Sequence, residues 1–468
     1  AIIPFDNKGA EEDEFYAYSI SSELISDVTS AGLIRVASQK DIEKLDYTAL
    51  NNEELSEKLF VRYIAQGTLW KADSIFQLSI ELYDTRKSKL VWSESWQKAW
   101  IELPSIKGNL AYNILKTLQV STNQNITKKP TNNTEAYEHY LKGKYKYEKR
   151  ENIEDIEIAR GLLQKAIRID DNLLIAKNLL AESYFSTSEY DKANEILNPT
   201  LKQAEEMGDK YVIGRTLINI GIVYNIKGDN DKAIEYYSRS LMIAKDMNDK
   251  YGIGKNLHNM GHVYLDKGDL DKAMDYYTRS LKIYEKIGDK PGIGKSFHSI
   301  GNVYSSKYDL DKALDAYINS LKIYEKIGDK PGIGGILNNI GTIYNSKGNN
   351  NKSLDYFIRS LKIKEALGDK RGMINSIRNI GLVHSEKGDY EKSEEYLEKS
   401  LSIQKEIGLK GIELETTIYL YLSYKHLGKD YDINEIHSLI KEAENIKFKL
   451  NFRLYQLLED TSYLETAY

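Results

Sequence analysis

Two histidines one helical turn apart are the pair of side chains in this 468-residue chain with the clearest capacity for chemistry. His258 and His262 are followed at the same spacing by Asp266, and His298 repeats the position of His258 forty residues later. Residues at i, i+4 and i+8 of a helix share one face, and two imidazoles so placed can chelate zinc or nickel. A closed site needs a third ligand within bonding distance, which the spacing does not supply. We therefore favour a solvated polar groove and predict no metal site.

A row of amide side chains recurs at one position of a 40-residue unit. Each amide can donate one hydrogen bond and accept another, so such a row suits the backbone of an extended peptide. The residues next to these amides differ from one repeat to the next, whereas the residues expected to pack the helices together recur in every repeat. The candidate peptide-binding residues are Asn219, His258, Asn259, His262, His298, Ser299, Asn302, Asn338, Asn339, Arg378 and Asn379. The alternative is a polar helix face that only keeps the protein in solution.

The 40-residue unit itself must position these side chains. Units begin at 211, 251, 291, 331 and 371, and each has Gly at its eleventh residue, a small residue twelve positions later and a large one four positions beyond. The spacing puts the Gly on one side of a first helix, and the small and large residues on one side of a second. Glycine is a poor choice for an isolated helix, so it must allow a close crossing. A fixed period of this length predicts stacked helical hairpins.

These residues resemble the tetratricopeptide repeat in its longer form, as in kinesin light chain and LGN-type adaptor proteins. The resemblance rests on motifs such as Ile220-Gly221-x-x-Tyr224 and Ile300-Gly301-x-x-Tyr304, and it extends over residues 135–450 as about eight hairpins. Residues 451–468 are expected to begin a further helix pair. The resemblance implies that the first helices line a concave surface, that the residue two before the Gly faces inward, and that Asn there binds an extended partner segment.

Residues 1–120 have a different pattern. Helices are predicted at 18–28, 52–60 and 102–119, and strands at 1–5, 33–36, 61–71, 75–84 and 89–100. In the run 75–84, apolar and polar residues alternate, which indicates a sheet with one buried face. Residues 121–134 are predicted to be a linker. The fold class is therefore mainly α, an α-solenoid preceded by a small α+β domain.

The first 120 residues are similar to the TolB amino-terminal-like domain, which is related to the FlgO flagellar assembly family. The resemblance rests on IIPFDN at 2–7, LIRVAS at 33–38 and YIAQGTL at 63–69. It implies an arrangement found in bacterial signalling proteins, in which such a domain lies between an adenylate cyclase, kinase or DNA-binding module and tetratricopeptide repeats. Any catalytic module would then lie upstream of Ala1.

Composition excludes several classes of function. The net charge of −5, with both signs interspersed, gives no basic surface for nucleic acid. There is no Cys for disulfides or thiolate chemistry, no apolar run of 18 residues, and neither a phosphate-loop nor a serine-nucleophile motif. Four Trp residues lie between 70 and 100, and packing is favoured over a ligand platform for them. No cofactor is expected.

We therefore expect a non-enzymatic protein-binding or peptide-binding scaffold, the sensory tail of a larger bacterial signalling protein. One alternative is a ligand-sensing regulatory region of an adenylate cyclase or kinase, and another is self-association through the solenoid ends. The sequence does not decide between a cytoplasmic and a periplasmic location, or a tether through an upstream segment.

Overall fold

The structure, a computed structural model of the 468-residue chain, describes residues 1–30, 36–43, 45–120, 127–407, 413–442, 448–459 and 462–465. It forms two compact units, one of Ala1–Val303 with Lys326–Gly328 and the other of Tyr304–Glu325 with Asp329–Tyr468. The fold is mainly helical, a solenoid of helical hairpins with a small three-stranded sheet near the amino terminus. Each unit is described by itself below.

The amino-terminal part of the first unit is a helix-covered antiparallel sheet. The strands are β1 (Tyr63–Ala72), β2 (Ile75–Asp84) and β3 (Lys89–Ala99), in the order β1-β2-β3. The helices are α1 (Glu14–Ser30), α2 (Gln39–Glu43), α3 (Asn52–Leu59) and α4 (Leu103–Thr117). The strands predicted at 61–71, 75–84 and 89–100 are present as β1, β2 and β3, and the helices predicted at 18–28, 52–60 and 102–119 are present as α1, α3 and α4. Part of the strand predicted at 33–36 lies outside the described residues.

The first residues pair with β1 instead of forming a separate strand. Ile2 and Asp6 make parallel bridges to Ala65 and Thr68. Alternation along β2 buries Phe76, Leu78 and Ile80, as the sequence pattern predicted. The core beneath them is completed by residues of α1 and α4. Trp92 and Trp96 of β3, together with Trp100, pack against this core, in agreement with the packing interpretation.

The described residues after 133 form eight helical hairpins. The first helices are α5 (Thr134–Glu148), α7 (Leu174–Phe185), α9 (Lys210–Ile226), α11 (Lys250–Asp266), α13 (Lys290–Ser306), α15 (Lys330–Ser346), α17 (Lys370–Glu386) and α19 (Glu413–Leu427). The second helices are α6 (Ile153–Ile169), α8 (Tyr190–Glu206), α10 (Asn230–Asp246), α12 (Leu270–Ile287), α14 (Leu310–Lys326), α16 (Asn350–Ala366), α18 (Tyr390–Glu406) and α20 (Ile433–Glu442). Helices α21 (Phe448–Leu458) and α22 (Ser462–Glu465) follow.

Short sequence signals set the helix ends. Gly228 has a φ of +79°, which a side chain would oppose. The next residue, Asp229, caps α10 by accepting a hydrogen bond from the backbone N–H of Lys232. Asp269 caps α12 in the same way, which is the usual role of Asp at this position. The Lys-Gly-Asp turns therefore end one helix and begin the next, as predicted.

The spacing that recurs in each 40-residue repeat produces a close helix crossing. A Cβ atom on Gly221 would lie 2.6 Å from the Tyr237 ring, and one on Gly341 would lie 2.7 Å from the Phe357 ring. The Ser three residues after the large residue also joins the two helices. Ser240 Oγ, for example, donates to the backbone oxygen of Gly214 at 3.0 Å. The predicted crossing at the Gly is confirmed at these positions.

The helix-covered sheet is fixed to the first hairpin by a buried charge cluster. Glu23 of α1 accepts hydrogen bonds from Lys144 Nζ at 2.5 Å and Tyr140 Oη at 2.7 Å, both on α5. Lys107 of α4 completes the cluster at 2.9 Å. Ser19 Oγ donates to the backbone oxygen of Leu141 at 3.0 Å. Helix α1 therefore packs both on the sheet and on the beginning of the solenoid.

In the second unit, α21 packs against α19 after the last hairpin. Leu454 and Leu457 of α21 are buried with Ile418 and Leu422 of α19. Lys425 Nζ of α19 donates to the backbone oxygen of Gln456 at 3.0 Å. Among the described residues of the whole chain, no helix combines the length and apolar character needed to cross a membrane.

Candidate functional site

The candidate site in the first unit is a row of polar side chains on α9, α11 and α13. Asn219, Asn259 and Ser299 occupy the same position of the three helices. Asn219 and Ser299 are buried, with 3% and 5% of their surfaces exposed, and Asn259 is half-buried. His258 and His298 precede Asn259 and Ser299 and are also half-buried, while His262 is exposed and Asn302 is half-buried.

Asn219 is held by its own chain. Its Nδ2 atom donates to Glu182 Oε1 at 3.1 Å, and the two Glu182 oxygens also accept from Arg215 at 3.1 and 3.0 Å. Burial opposes ionisation of Glu182, but the Arg215 and Lys255 cations outweigh it and hold the pKa of this carboxyl below its ordinary value. This end of the row is thus a satisfied hydrogen-bond network on α7 and α9.

The histidines of α11 form an aromatic cluster with Tyr277 of α12. The His258 and His262 rings lie 5.1 Å apart at 76°, and their centroids lie 5.2 and 5.7 Å from that of Tyr277. Burial lowers the pKa of His258 to about 3, and His262, Lys295 and His298 lower it further by charge repulsion. Burial lowers the pKa of His298 to about 4. Both imidazoles are therefore neutral near pH 7, with one donor and one acceptor nitrogen each.

The arrangement does not bring together a metal ligand set among the described residues. In that part of the chain, no three His, Cys, Asp or Glu side chains are placed to hold one ion. Asp266, the third residue of the spacing that suggested a metal, instead accepts a hydrogen bond from Asn225 Nδ2 at 2.9 Å.

Two buried polar atoms of this row have no hydrogen-bond partner within the described chain. They are Nδ1 of His258 and Nδ2 of Asn259, which lie on adjacent residues of α11. Burying a polar atom without a partner is costly, and most such atoms in folded proteins are satisfied. The contrast with Asn219 is direct, because the same helix position is internally bonded in one hairpin and unsatisfied in the next.

The row also contains cations that the sequence reasoning did not single out. Arg215, Lys255 and Lys295 occupy the fifth residue of three successive 40-residue units, so the repeated position was a usable signal. Lys255 is half-buried and forms no ion pair with another described residue. Burial, with repulsion from Arg215 and Lys295, lowers the pKa of Lys255, and Glu182 offsets part of this shift.

The second unit carries its own set of predicted residues on α15 and α17. Asn338 Oδ1 accepts from Asn379 Nδ2 at 3.3 Å and from Ser376 Oγ at 3.4 Å. Arg378 lies 3.3 Å from a carboxylate oxygen of Glu415, and its Nε atom is buried without a partner in the described chain. Asn339 is half-buried on the same helix as Asn338. These side chains are placed together as a polar cluster within this unit.

Comparison with known proteins identifies the repeats. The tetratricopeptide repeat family matches residues 172–246, 253–326 and 333–406. Putative adenylate cyclase 3 of Rhizobium meliloti (strain 1021) is 21% identical over 182 residues, which cover 38% of this chain and 31% of the cyclase. This chain thus spans less than two thirds of the length of that relative.

Two solved structures have a similar fold. One is a Signal Transduction ATPase with Numerous Domains protein with a tetratricopeptide repeat sensor, from Pyrococcus horikoshii. It has a TM-score of 0.50 and 20% identity, and the match covers 73% of this chain and 49% of that one. The other is a Rap protein complexed with competence and sporulation factor. It has a TM-score of 0.52 and 16% identity, and the match covers 71% of this chain and 95% of that one.

Proposed function

We propose that this tetratricopeptide repeat solenoid is a non-enzymatic scaffold that binds an extended segment of a partner protein on the polar row of α9, α11 and α13. The observation that carries the proposal is the pair of unsatisfied buried atoms, Nδ1 of His258 and Nδ2 of Asn259. A partner backbone supplies what both atoms lack, since its carbonyl groups accept from the Asn amide and its amide groups donate to a neutral imidazole nitrogen.

The charges of the row indicate the chemistry of the partner. Lys255 has no ion pair among the described residues, and Lys295 is exposed on the next first helix. The carboxylates that act on these cations are Glu182 and Asp249, two negative charges against the three positive charges of Arg215, Lys255 and Lys295. An acidic side chain in the bound segment would supply the missing counter-charge, and a charge-assisted hydrogen bond to a partly desolvated lysine is stronger than a neutral one.

The similar Rap structure, which holds competence and sporulation factor, supports the proposal at the level of the fold. The scaffold interpretation also accords with the sensor described for the Pyrococcus horikoshii protein. We propose further that residues 1–120 form a TolB amino-terminal-like domain, that 121–134 link it to repeats at 135–450, and that 451–468 begin another helix pair. In this scheme the chain is the tail of a larger bacterial signalling protein.

The test is a selection of displayed random 12-residue peptides against the whole chain, followed by affinity measurement on the selected peptides. We expect the selected sequences to be acidic, and Asn259→Ala and Lys255→Ala each to weaken their binding about tenfold, the equivalent of about 1.4 kcal/mol. Asn319→Ala, which removes an exposed amide from α14, is the matched control. Selected peptides whose affinity is the same for all three variants and the wild type would rule out this row as the binding surface.

The second candidate is a ligand-sensing regulatory region of an adenylate cyclase or a kinase, and the match to the Rhizobium meliloti cyclase favours it. Thermal denaturation of the whole chain with a panel of nucleotides and metabolites tests it, because a ligand that binds the folded state raises the melting temperature. A ligand whose effect survives Asn259→Ala would favour this function over the scaffold.

A further inference from the structure

Strand β3 is an open edge of the three-stranded sheet. Its inner side pairs with β2 from Lys89 to Ala99. Its outer side pairs with no strand or bridge among the described residues. The outer side of β1, in contrast, is partly covered by the bridges of Ile2 and Asp6. Backbone N–H and C=O groups along the outer side of β3 are therefore available to a further strand.

The second half of this edge is the part best suited to pairing. The strand is 11 residues long, about twice the usual length. Lys89 and the irregular pairing with β2 that precedes Trp92 protect its beginning, because lysines and bulges keep edge strands apart. Residues 93–99 pair regularly with β2 and contain no Pro. Their two charges, Glu94 and Lys98, have opposite sign, so the register of an added strand decides whether they oppose or favour pairing.

The sequence of this half is complementary to itself. When two identical strands pair antiparallel about a two-fold axis, residues equally far from the axis on either side lie opposite each other. Glu94 and Lys98 are equally far from Trp96. An axis at Trp96 therefore sets each Glu94 opposite Lys98 of the second copy, and the two Trp96 side chains opposite each other. On the other face of the sheet it sets Ser95 opposite Gln97. An axis at Glu94 would instead bring the two carboxylates together.

The two charged side chains are held in place and keep capacity for a further partner. Glu94 Oε2 accepts from Asn113 Nδ2 of α4 at 2.9 Å, which engages one of the two carboxylate oxygens. Lys98 Nζ lies 2.8 Å from Glu102 Oε2, and an ammonium group has three donors. Because these contacts already restrict both side chains, less conformational freedom is lost when they pair across strands.

Large apolar side chains are grouped beside the same stretch. Trp96 is half-buried, and Ile101, just after the strand, is 63% exposed. Tyr112 of α4, which is 47% exposed, is the neighbour of Asn113. Exposed apolar groups gathered in one place mark interaction surfaces, and aromatic and opposite-charge pairs between strands both stabilise a sheet.

We propose that the outer edge of β3 binds β3 of a second copy of this chain, antiparallel and centred on Trp96, with residues 93–99 paired. The two three-stranded sheets then form one continuous sheet, and the helices cover the same face of it in both copies. Two symmetry-related pairs of Glu94 with Lys98 fix the register. The interface uses no residue of the polar row on α9, α11 and α13, so it is independent of the proposed peptide binding.

Sedimentation velocity of the whole chain between about 1 µM and about 100 µM tests the proposal. The wild-type chain should pass from monomer to dimer over this range. Glu94→Lys and Lys98→Glu each set like charges opposite each other at both symmetry-related pairs, and each should weaken dimerisation about tenfold or more. Glu81→Lys, a charge reversal at an exposed position of β2, is the matched control and should dimerise as the wild type does.

Mixing the two variants tests the register. A Glu94→Lys chain has lysines at 94 and 98, and a Lys98→Glu chain has carboxylates at both. Every pair in the mixed dimer is then again a lysine opposite a carboxylate, so an equimolar mixture should dimerise as tightly as the wild type. A wild-type chain that stays monomeric, or a dimer that neither variant weakens, would overturn the proposal.

Cross-linking at two exposed positions tests the same register without altering a charge. The protein has no Cys, so Ser95→Cys and Gln97→Cys each introduce a single thiol on the exposed face of β3. Opposite residues have Cβ atoms about 4.5–5.5 Å apart, whereas diagonal neighbours are about 7–8 Å apart. Under mild oxidation, an equimolar mixture of the two variants should therefore form disulfide-linked dimers faster than either variant alone. Equal rates in the mixture and in the single variants would overturn pairing centred on Trp96.

Discussion

The Tyr277 ring covers Gly261 so closely that a Cβ atom on the glycine would lie 2.7 Å from it. Tyr277 is fully buried, and its ring also contacts His258 and His262. The glycine that permits the helix crossing therefore also sets the position of the histidine cluster. Packing and candidate binding site are coupled through this one side chain.

Gly261→Ala should destabilise the chain by about 1–3 kcal/mol, because the added methyl group must push a buried ring aside. Gly335→Ala is the control, since a Cβ there meets nothing within 4 Å. This second change should be neutral or stabilising by up to about 1 kcal/mol, the helix-propensity difference between the two residues. Urea denaturation followed by circular dichroism measures both. Equal destabilisation by the two changes would show that the crossing at Gly261 is not tight.

The period of the sequence was sufficient to predict the hairpins, because packing within them depends on residues a fixed number of positions apart. The large residue sixteen positions after each Gly, such as Tyr237 after Gly221, falls where the pattern placed it. The stacked pair Tyr264 and Tyr276, with centroids 5.3 Å apart and planes at 8°, follows the same rule but was not predicted. The recurrence of a second Tyr twelve residues after the first could have predicted this stacked pair.

Contacts between residues far apart in the sequence could not be predicted from the repeat spacing. The position of α1 against the repeats depends on the contact of Glu23 with Lys144, more than a hundred positions away. A charged residue in an otherwise apolar helix does not by itself indicate which distant residue it pairs with. Likewise, Asn219 and Asn259 look equivalent in sequence. They differ in the structure because Glu182 stands beside only the first.

Salt bridges join successive hairpins within each compact unit, and at Lys387 the acidic partner is replaced by a neutral one. Lys267 pairs with Asp231 of the preceding second helix at 2.7 Å, whereas Lys387 at the equivalent place donates to neutral Asn351 at 3.1 Å. Asn351→Asp should add an exposed ion pair and stabilise the chain by about 0.2–1 kcal/mol. Asp231→Asn should remove a similar amount. The gain should shrink in 1 M salt, and a gain insensitive to salt would show that the pair does not form.

The buried cluster of Glu23, Lys107, Tyr140 and Lys144 predicts a specific dependence of stability on acid pH. Burial opposes the charge of Glu23, but Lys107 and Lys144 hold its pKa well below the ordinary value of 4.5. The stability from ionised Glu23 is therefore present above about pH 4.5 and is lost as the pH falls towards the lowered pKa. Glu23→Gln should cost about 3–5 kcal/mol at pH 7, as expected when one partner of a buried ion cluster is removed.

The difference between Glu23→Gln and the wild type should narrow as the pH is lowered from 5 to 3. Urea midpoints at several pH values measure it, and Glu57→Gln, at an exposed position of α3, is the control. A difference that stays constant over this range would mean that the ionisation of Glu23 does not hold α1 against α5.

The lowered pKa of His258 predicts that the stability of the chain also depends on pH between 5 and 7. Its folded pKa of about 3 lies below the ordinary value of 6.5, so between these values the unfolded chain binds a proton that the folded chain excludes. Stability must then fall as the pH drops from 7 to 5, because protonation favours the unfolded state. His258→Gln removes this titration and should reduce the loss of stability over that interval, whereas His437→Gln controls for the loss of an imidazole elsewhere. An unchanged loss in His258→Gln would place His258 in water instead of among His262, Lys295 and His298, and would remove the neutral imidazole from the proposed contacts with the partner backbone.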